Sequence, residues 1–233
     1  RGIGRVTAEL FAEKGWKVIA HARKETEEFA AFCDKIAATP LYFDMTDTAA
    51  MKASVKEKIF TPKVTVDALV NNAGTADGSI FQMTPVKRIR EVFEVNLFSH
   101  MELTQMILKR MPKTGASIVN VASVSGVVLR RGNSAYGVSK TAMIAWTEVL
   151  SVELMGRVRV NAVAPGFTDT DMGKLDIRFS TIQSGSVTRI GKTSEIACAI
   201  YFLSSDEASF INGHTLVIDG GIESKGGLYG ERL

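Results

Sequence analysis

The segment from Ser123 to Lys140 contains three side chains that can cooperate in proton transfer: the hydroxyl of Ser123, the phenol of Tyr136 and the ammonium of Lys140. Tyr136 and Lys140 are four residues apart. In a helix that begins near Ser134, both side chains therefore lie on one face, one turn from each other.

A phenol and an ammonium so placed have a chemical use. A free tyrosine has a pKa of about 10, and lowering it to about 7 requires roughly 4 kcal/mol in favour of phenolate. An ammonium about 4 Å away supplies about 4 kcal/mol at an effective dielectric constant near 20. Tyr136 is thus a candidate general acid or base, although an ordinary amphipathic helix can show the same Tyr-x-x-x-Lys spacing.

The composition predicts one large globular domain, without a membrane-spanning segment and without a metal site. The chain has 233 residues, of which 45% are apolar and 23% charged, and it contains no apolar run of roughly 18 residues that could span a bilayer. The net charge of +3 is small and the basic residues are scattered, which argues against nucleic acid or an anionic membrane as a partner. The two cysteines and three histidines form no cluster, so we expect no metal site.

Strand patterns and helix patterns alternate along the chain. Predicted strands cover Lys17–His21, Leu41–Phe43, Val64–Val70, Ser117–Val121, Val158–Ala164 and Thr215–Ile218; predicted helices cover Arg5–Lys14, Glu25–Ala37, a segment after Asp47, Thr84–Met111, Ser134–Leu154 and a segment around Ile196–Leu203. This order predicts an α/β fold, with a doubly wound Rossmann-type parallel sheet, helices on both faces, and ligands at the carboxyl ends of the strands. The weakly periodic segment Thr168–Ile190 is predicted to be a mobile lid.

Glycines and charges near the start of the chain suggest a dinucleotide site. Gly2-Ile3-Gly4 opens a helix whose N–H groups and dipole can meet a phosphate, although helix starts often use glycine. After the second strand of a dinucleotide-binding fold, a carboxylate selects NAD and an arginine accommodates the 2′-phosphate of NADP. Here Arg23 follows the strand, Arg1 is a second source of positive charge, and no carboxylate is present there. This favours NADP, the alternative being that Arg23 is a solvated residue that opens the next helix.

The order of these features resembles the classical short-chain dehydrogenase/reductase family over the whole chain. Asn71-Asn72-Ala73-Gly74 is similar to the family's Asn-Asn-Ala-Gly motif, and Gly2-Ile3-Gly4 to the end of its Thr-Gly-x-x-x-Gly-x-Gly loop. The resemblance implies that a first strand precedes Arg1. Residues 1–233 would then be a single, N-terminally incomplete NAD(P)-binding domain whose sheet has about seven strands.

The resemblance also implies the site residues. Asn96, Ser123, Tyr136 and Lys140 match the catalytic tetrad. In this family the tyrosine donates a proton to the carbonyl oxygen and the serine hydrogen-bonds that oxygen. The lysine lowers the pKa of the tyrosine and binds the nicotinamide ribose, and the asparagine holds a water of a proton relay. The implied cofactor contacts are Arg1, Gly2, Ile3, Gly4, Arg23, Asp44, Met45, Asn71, Ala73, Gly74, Pro165, Gly166, Thr168 and Thr170, together with Tyr136 and Lys140.

Within the family, Asn161–Met172 and Ile218–Gly221 are most similar to 3-oxoacyl-[acyl-carrier-protein] reductases. This implies NADPH-dependent reduction of a 3-oxoacyl thioester on a carrier protein in fatty acid biosynthesis, and a homotetramer built through the two long helices. It also implies a cytoplasmic location, or an organellar one if a transit peptide precedes residue 1. Arg130 and Arg131 add positive charge beside the site entrance, unless they belong to a solvated loop.

Two other functions are compatible with the same residues. The first is an NADP(H)-dependent carbonyl or alcohol oxidoreductase that acts on another small ketone, a sugar or a steroid-like substrate. The second is a catalytically silent NADP-binding module, against which the intact tetrad argues.

Overall fold

A computed structural model describes residues 1–174 and 189–221, which form the expected α/β fold. The strands are β1 (Ile19–Ala22), β2 (Thr39–Tyr42), β3 (Ala68–Asn71), β4 (Ala116–Val121), β5 (Val158–Pro165) and β6 (Thr215–Ile218). The helices are α1 (Gly2–Glu13), α2 (Glu27–Lys35), α3 (Thr48–Val55), α4 (Val86–Phe93), α5 (Ser99–Ile107), α6 (Val124–Val127), α7 (Tyr136–Glu153), α8 (Asp171–Lys174) and α9 (Thr193–Ser204).

The strand pairs are parallel, as predicted, but they form two sheets. β1 pairs with β2, and the second sheet has the order β3-β4-β5-β6. Within the described residues no strand pairing joins β1 to β3, so the sheet is divided at this point. The register aligns the ends of the strands in the larger sheet, with Asn71 opposite Asn120 and Val121 opposite Val163. The segments that follow β3, β4 and β5 therefore leave the sheet at one edge.

The predicted strand positions are confirmed with small shifts, and the largest shift is in β3. We expected this strand to begin at Val64, and it begins at Ala68. The intervening amides bond elsewhere: Val64 N–H donates to the Ile59 carbonyl and Val66 N–H to the Arg110 carbonyl. An apolar run whose backbone groups are satisfied by other elements is extended without joining a sheet.

Helices cover both faces of the larger sheet. Successive residues of a strand point to opposite faces, so adjacent residues of β4 contact different helices. Ile118 of β4 packs in a cluster with residues of α3, α5 and α7, whereas the adjacent Val119 packs in a cluster with residues of α1 and α9. Every residue of β4 is buried. Among the helices of the described ranges, none is long and apolar enough to cross a membrane.

A buried ladder of polar side chains crosses the sheet between α5 and α7. The Asn71 amide donates to Thr104 Oγ1 at 3.1 Å and to Asn120 Oδ1 at 2.8 Å. The Asn120 amide in turn donates to Thr147 Oγ1 at 2.8 Å, and that hydroxyl donates to the Met143 carbonyl. These five residues connect α5, β3, β4 and α7 by side-chain hydrogen bonds.

The helix predicted over Thr84–Met111 is nearly continuous, but it contains an irregular turn. Between α4 and α5, residues Glu94–Phe98 form a π-helical turn, and a short 3₁₀ turn at Leu108–Arg110 ends the segment. A π turn accommodates one more residue than an α turn, and such turns are frequent at functional sites. The residue at the centre of this one is Asn96.

Candidate active site

Ser123 and Tyr136 come from neighbouring elements at the edge where β4 ends. Ser123 caps α6, and its Oγ accepts a hydrogen bond from the Ser125 amide at 3.1 Å. Tyr136 is the first residue of α7. The two helices are in close contact at Gly126, where a Cβ would lie 2.7 Å from the carbonyl carbon of Lys140. Only glycine permits this approach, which fixes the serine relative to the tyrosine and the lysine.

The surroundings of Tyr136 keep its phenol protonated. Burial raises the pKa of the Tyr136 hydroxyl above its ordinary value, and a hydrogen bond with Ser123 opposes this in part. The family resemblance implied that Lys140 lowers this pKa. In the structure the hydrogen bond with Ser123 lowers this pKa, and Lys140 Nζ lies 6.0 Å from the centroid of the tyrosine ring. The effect implied for Lys140 stays a prediction. A protonated phenol is suited to act as a general acid.

Lys140 is a buried cation that bonds to the end of β4. Its Nζ donates to the Val121 carbonyl at 2.8 Å, and the residue is only 4% exposed. Burial lowers the pKa of the Lys140 ammonium to about 8. The group is therefore mainly charged at pH 7, and its charge is lost as the pH rises through 8.

Asn96 lies behind the cleft and holds the loop that follows β3. Its Oδ1 accepts from the Thr75 amide at 2.8 Å, and its Nδ2 donates to the Thr75 carbonyl and to Ser139 Oγ, both at 3.0 Å. A Cβ on Gly74 would lie 3.3 Å from Asn96 Oδ1 and 3.6 Å from Lys140 Nζ. The side chain thus joins the Gly74 loop to α7, while the water-holding role implied for this residue stays a prediction.

His100 is a residue of the site that the sequence did not single out. It lies one helical turn after Asn96 and is 1% exposed, and its Nε2 lies 2.7 Å from the Ala73 carbonyl. A carbonyl oxygen can only accept, so Nε2 carries the proton. Asn96 and His100 together therefore hold consecutive parts of the loop from Ala73 to Thr75. The sequence signal that could have identified His100 is its position four residues after Asn96, which places both side chains on the same face of the helix.

Burial lowers the pKa of His100 to about 4, which makes stability depend on pH. Between pH 6.5 and about 4, the unfolded chain binds a proton at His100 that the folded protein does not bind. The free energy of unfolding therefore falls as the pH falls through this window, by roughly 3 kcal/mol in total. We expect His100→Gln, which retains a donor for Ala73 but cannot be protonated, to reduce this loss in urea unfolding measured at several pH values.

The matched control for this prediction is His214→Gln, since His214 is an exposed histidine. It should leave the pH dependence of unfolding as it is in the wild type. Equal slopes of unfolding free energy against pH for wild type and His100→Gln would contradict the assignment.

The first residues of the chain meet the loops after β3 and β5. A Cβ on Gly4 would lie 2.6 Å from Asn72 Nδ2, and one on Gly2, whose φ is +59°, would lie 3.5 Å from a methyl group of Thr170. Arg1 forms an exposed ion pair of 3.5 Å with Asp171. Gly2 and Gly4 thus place a side-chain-free turn at the start of α1, next to both loops, where a phosphate could approach the backbone.

Asp44 and Arg23 lie near each other at the ends of β2 and β1. Asp44 Oδ1 accepts from the amide of Thr46 at 2.9 Å and from its hydroxyl at 2.8 Å. These two bonds, assisted by the charge of Arg23, hold the pKa of Asp44 below its usual value. His21 is not free to bind a ligand through Nε2, which bonds to the Phe43 carbonyl at 2.8 Å. Arg23 is exposed here and is thus a cation available at this edge, as is the neighbouring Lys24.

The turn after β5 packs closely against the segment that follows β6. The Gly166 amide donates to the Ile218 carbonyl at 2.9 Å, and a Cβ on Gly166 would lie 2.7 Å from Cβ of Asp219. Thr168 and Thr170 follow in a series of short turns, in which Thr168 Oγ1 donates to the Gly166 carbonyl at 3.1 Å. Most of the lid predicted over Thr168–Ile190 lies outside the described residues.

One cavity of about 4090 Å³ gathers the predicted site residues. Ser123, Tyr136 and Lys140 line it, as do all the residues for which a cofactor contact was implied: Arg1, Gly2, Ile3, Gly4, Arg23, Asp44, Met45, Asn71, Ala73, Gly74, Pro165, Gly166, Thr168 and Thr170. Asn96 is the exception, since it is fully buried behind the wall. In residues 1–174 and 189–221, no group of three His, Cys, Asp or Glu side chains is placed to hold a metal ion.

Comparison with known proteins gives matches along nearly the whole chain. The sequence model of the family described as "Enoyl-(Acyl carrier protein) reductase" matches residues 1–223. The 3-oxoacyl-[acyl-carrier-protein] reductase FabG of Escherichia coli (strain K12) is 36% identical, covering 95% of this chain and 93% of the relative. The protein of the same name from Thermotoga maritima has the same identity and coverage.

A solved structure is similarly close in fold. A short chain dehydrogenase from Burkholderia cenocepacia J2315, in complex with NADP, matches with a TM-score of 0.86 at 28% sequence identity, covering 96% of this chain and 94% of the other. These matches agree with the parallel sheet and with the single cavity that holds Ser123, Tyr136 and Lys140. The chain belongs to the short-chain dehydrogenase/reductase family and is an oxidoreductase of that family.

Proposed function

We propose that this protein reduces a 3-oxoacyl thioester carried on an acyl carrier protein to the 3-hydroxyacyl form, with NADPH as the cofactor. The observation that carries the proposal is the phenol of Tyr136, which is half-buried and hydrogen-bonded to Ser123 in the cavity lined by the predicted cofactor residues. The two FabG relatives, named as reductases of this substrate class, support the choice of substrate. The NADP complex of the Burkholderia structure supports the choice of cofactor.

Each side chain of the site has a role that follows from its surroundings. NADPH, when bound, would supply the hydride that the carbonyl carbon accepts. Tyr136 gives its proton to the carbonyl oxygen. The Ser123 hydroxyl, whose Oγ accepts from the Ser125 amide, donates its O–H to the same carbonyl oxygen. Lys140 places a positive charge beside Gly74, and Asn96 and His100 hold the loop from Ala73 to Thr75 against it.

Turnover of defined ketones tests the proposal. NADPH oxidation, followed by its absorbance with an acetoacetyl thioester, should be faster than with simple ketones, sugars or steroid ketones at equal concentration. Efficient turnover of one of those compounds without turnover of the thioester would favour a general carbonyl or alcohol oxidoreductase. No turnover of any ketone, with NADPH still bound, would favour a silent NADP-binding module.

Arg23 provides the test of cofactor choice. It is exposed at the end of β1, and the nearby Asp44 carboxylate is already bound by Thr46. We expect Arg23→Asp to lower the ratio of kcat/KM for NADPH to that for NADH by about tenfold or more, as a charge-assisted contact to the 2′-phosphate is lost. Lys24→Asp is the matched control, because it makes the same charge change one residue further on. An unchanged ratio in Arg23→Asp would contradict this role.

The outer surface of α7 supports the proposal of a homotetramer. Val149, Val152 and Met155 are exposed along α7 and its end, and Phe98 is exposed on the adjacent helical segment. Apolar side chains along paired helices are typical of an interface between subunits. We expect Val152→Glu to reduce the molecular mass in sedimentation equilibrium, whereas Lys113→Glu, at an exposed residue of the turn before β4, should leave the mass unchanged. A wild-type monomer would exclude the assembly.

A further inference from the structure

The loop that follows β3 is held by two side chains of one helical segment. Asn96, in the π turn, bonds to the backbone of Thr75: its Oδ1 accepts from the amide at 2.8 Å, and its Nδ2 donates to the carbonyl at 3.0 Å. Arg88 of α4 bonds to the side chain of the same residue, since its Nη2 donates to Thr75 Oγ1 at 3.3 Å. The amide, the carbonyl and the hydroxyl of Thr75 therefore all bond to this segment.

The guanidinium of Arg88 also bonds to the next two residues of the loop. Its Nη2 donates to the Ala76 carbonyl and its Nε to Asp77 Oδ2, both at 3.0 Å. The Asp77 side chain is only 10% exposed, and its other oxygen accepts from the Ser79 amide at 3.0 Å. A planar guanidinium can make several such bonds in fixed directions, whereas an ammonium is a point charge on a flexible stem. Arg88 thus fixes the loop from Thr75 to Ser79 against α4.

The π turn helps Arg88 and Asn96 to bond to the same loop. In a regular α-helix, two residues that are eight positions apart lie about 80° apart around the axis. A π turn uses more residues for each turn, so each of its residues advances by a smaller angle. The turn at Glu94–Phe98 therefore brings Asn96 closer to the face of the helix that carries Arg88.

The loop held by Arg88 lies between the surroundings of Lys140 and the segment that leads to Tyr136. A Cβ on Gly74, just before the loop, would lie 3.6 Å from Lys140 Nζ. A Cβ on Gly132, four residues before Tyr136, would lie 3.0 Å from the carbonyl oxygen of Gly78. The loop also lines the active-site cavity. Its displacement would therefore admit water to the buried ammonium of Lys140.

We propose that Arg88 is a positioning residue of the reduction, because its bonds to Thr75, Ala76 and Asp77 fix the loop on which the arrangement of Asn96 and Lys140 depends. It acts through Thr75 and Asn96 and not on the reacting carbonyl itself. This inference rests on the reductase activity of the proposed function, but not on the choice of a thioester as the substrate.

Hydrogen exchange followed by mass spectrometry measures the positioning without turnover. We expect the amides of residues 75–79 to exchange about tenfold faster in Arg88→Lys than in the wild type, because the loss of a charge-assisted bond lets the loop open more often. Lysine keeps a positive charge next to Asp77, so the change reports the shape of the guanidinium. Arg90→Lys is the matched control, as it makes the same substitution at an exposed residue of α4. Equal exchange in Arg88→Lys and the wild type would overturn the proposal.

The pH profile of kcat/KM shows whether this positioning serves the reaction. Burial lowers the pKa of Lys140 to about 8, so a looser loop that admits water should raise it. In Arg88→Lys we expect kcat/KM at pH 7 to be about tenfold lower, and its decline at high pH to occur about one pH unit later, than in the wild type. Arg90→Lys should keep the wild-type profile.

Two titratable neighbours of Lys140 leave this readout unaffected. His100 on α5 has a pKa of about 4 and is neutral across this range. The pKa of the Tyr136 hydroxyl on α7 is raised by burial above its ordinary value of about 10, so the phenol is protonated there. A shift of the decline therefore reports the ammonium of Lys140.

Thr75→Val is an independent second variant. It removes the hydroxyl that accepts from Arg88 and leaves the two backbone bonds to Asn96. Exchange and the pH profile should change in the same direction as in Arg88→Lys, while urea unfolding reports a folded protein. Faster exchange with a wild-type pH profile in both variants would overturn the proposal, since Arg88 would then stabilise the loop without serving the reaction.

The experiment also separates this proposal from the proposed function. If the acetoacetyl thioester is not reduced, any other ketone that the protein reduces gives the same profile. If no ketone is reduced, the Kd of NADPH should still rise as Lys140 loses its charge, and in Arg88→Lys this rise should occur about one pH unit later. A rise at the wild-type pH would overturn the proposal in that case.

Discussion

Tyr136→Phe is expected to lower kcat for ketone reduction by about 10²- to 10⁴-fold, the usual contribution of a positioned general acid. The substitution removes only the hydroxyl, whose pKa is raised by burial so that it carries its proton at neutral pH. The ring remains at the start of α7, next to Lys140. The dissociation constant of NADPH, measured by fluorescence titration, should therefore change much less than kcat.

The matched control is Tyr201→Phe. Tyr201 lies on α9, where its ring packs against Phe11 and does not line the active-site cavity. Loss of its hydroxyl should leave kcat unchanged. If Tyr136→Phe retained wild-type kcat, Tyr136 could not be the proton donor, and the oxygen would have to take its proton from another group.

Lys140→Met is expected to impair both catalysis and cofactor binding. The variant removes a buried ammonium that bonds to the Val121 carbonyl and lies beside Gly74. Since a hydrogen bond to a charged group contributes about 1.5–3 kcal/mol, we expect the Kd of NADPH to rise about tenfold and kcat to fall about a hundredfold or more. Methionine has a similar shape and no charge, so thermal unfolding should report a folded protein.

The pH profile gives an independent readout of Lys140. Because its pKa is lowered to about 8, the charged form predominates below pH 8 and disappears above it. In the wild type, kcat/KM should therefore fall as the pH rises through 8, and in Lys140→Met this decline should be absent. Lys87→Met, which removes an exposed cation from α4, should keep the wild-type profile. A Kd for NADPH that is unchanged in Lys140→Met would contradict the role at the ribose.

The convergence of the site could be predicted from sequence, because parallel strands end at one edge of a sheet. Asn71 ends β3, Ser123 lies just after β4, and the turn at Gly166 follows β5, all of them strands of the same parallel sheet. The spacing of Tyr136 and Lys140 fixed their common helix face. The residues identified from these two regularities and from the family resemblance are, apart from Asn96, among those that line the cavity, and their roles stay predictions.

Other features of the site could not be predicted from the order of side chains in the sequence. The acceptor for Lys140 is a backbone carbonyl, that of Val121, and backbone atoms have no sequence signature. The π turn at Glu94–Phe98 adds a residue to a helix whose apolar stripe reads as regular, so its position relative to Asn96 could not be foreseen. The direction in which the pKa of Tyr136 shifts depends on how far burial outweighs the hydrogen bond with Ser123. That balance can be judged only from the three-dimensional structure.

The ladder from Thr104 through Asn71 and Asn120 to Thr147 has a consequence for how the cleft keeps its shape. Asn71 and Asn120 are directly opposite each other on β3 and β4, and sliding one strand past the other by a residue would turn one amide to the other face of the sheet. The hydrogen bond between the two amides would then be lost, at a cost of roughly 1–3 kcal/mol for each buried group left unpaired. The amide pair therefore fixes the register of β3 against β4, so that thermal sliding of these strands does not separate the Gly74 loop from the hydroxyl of Ser123.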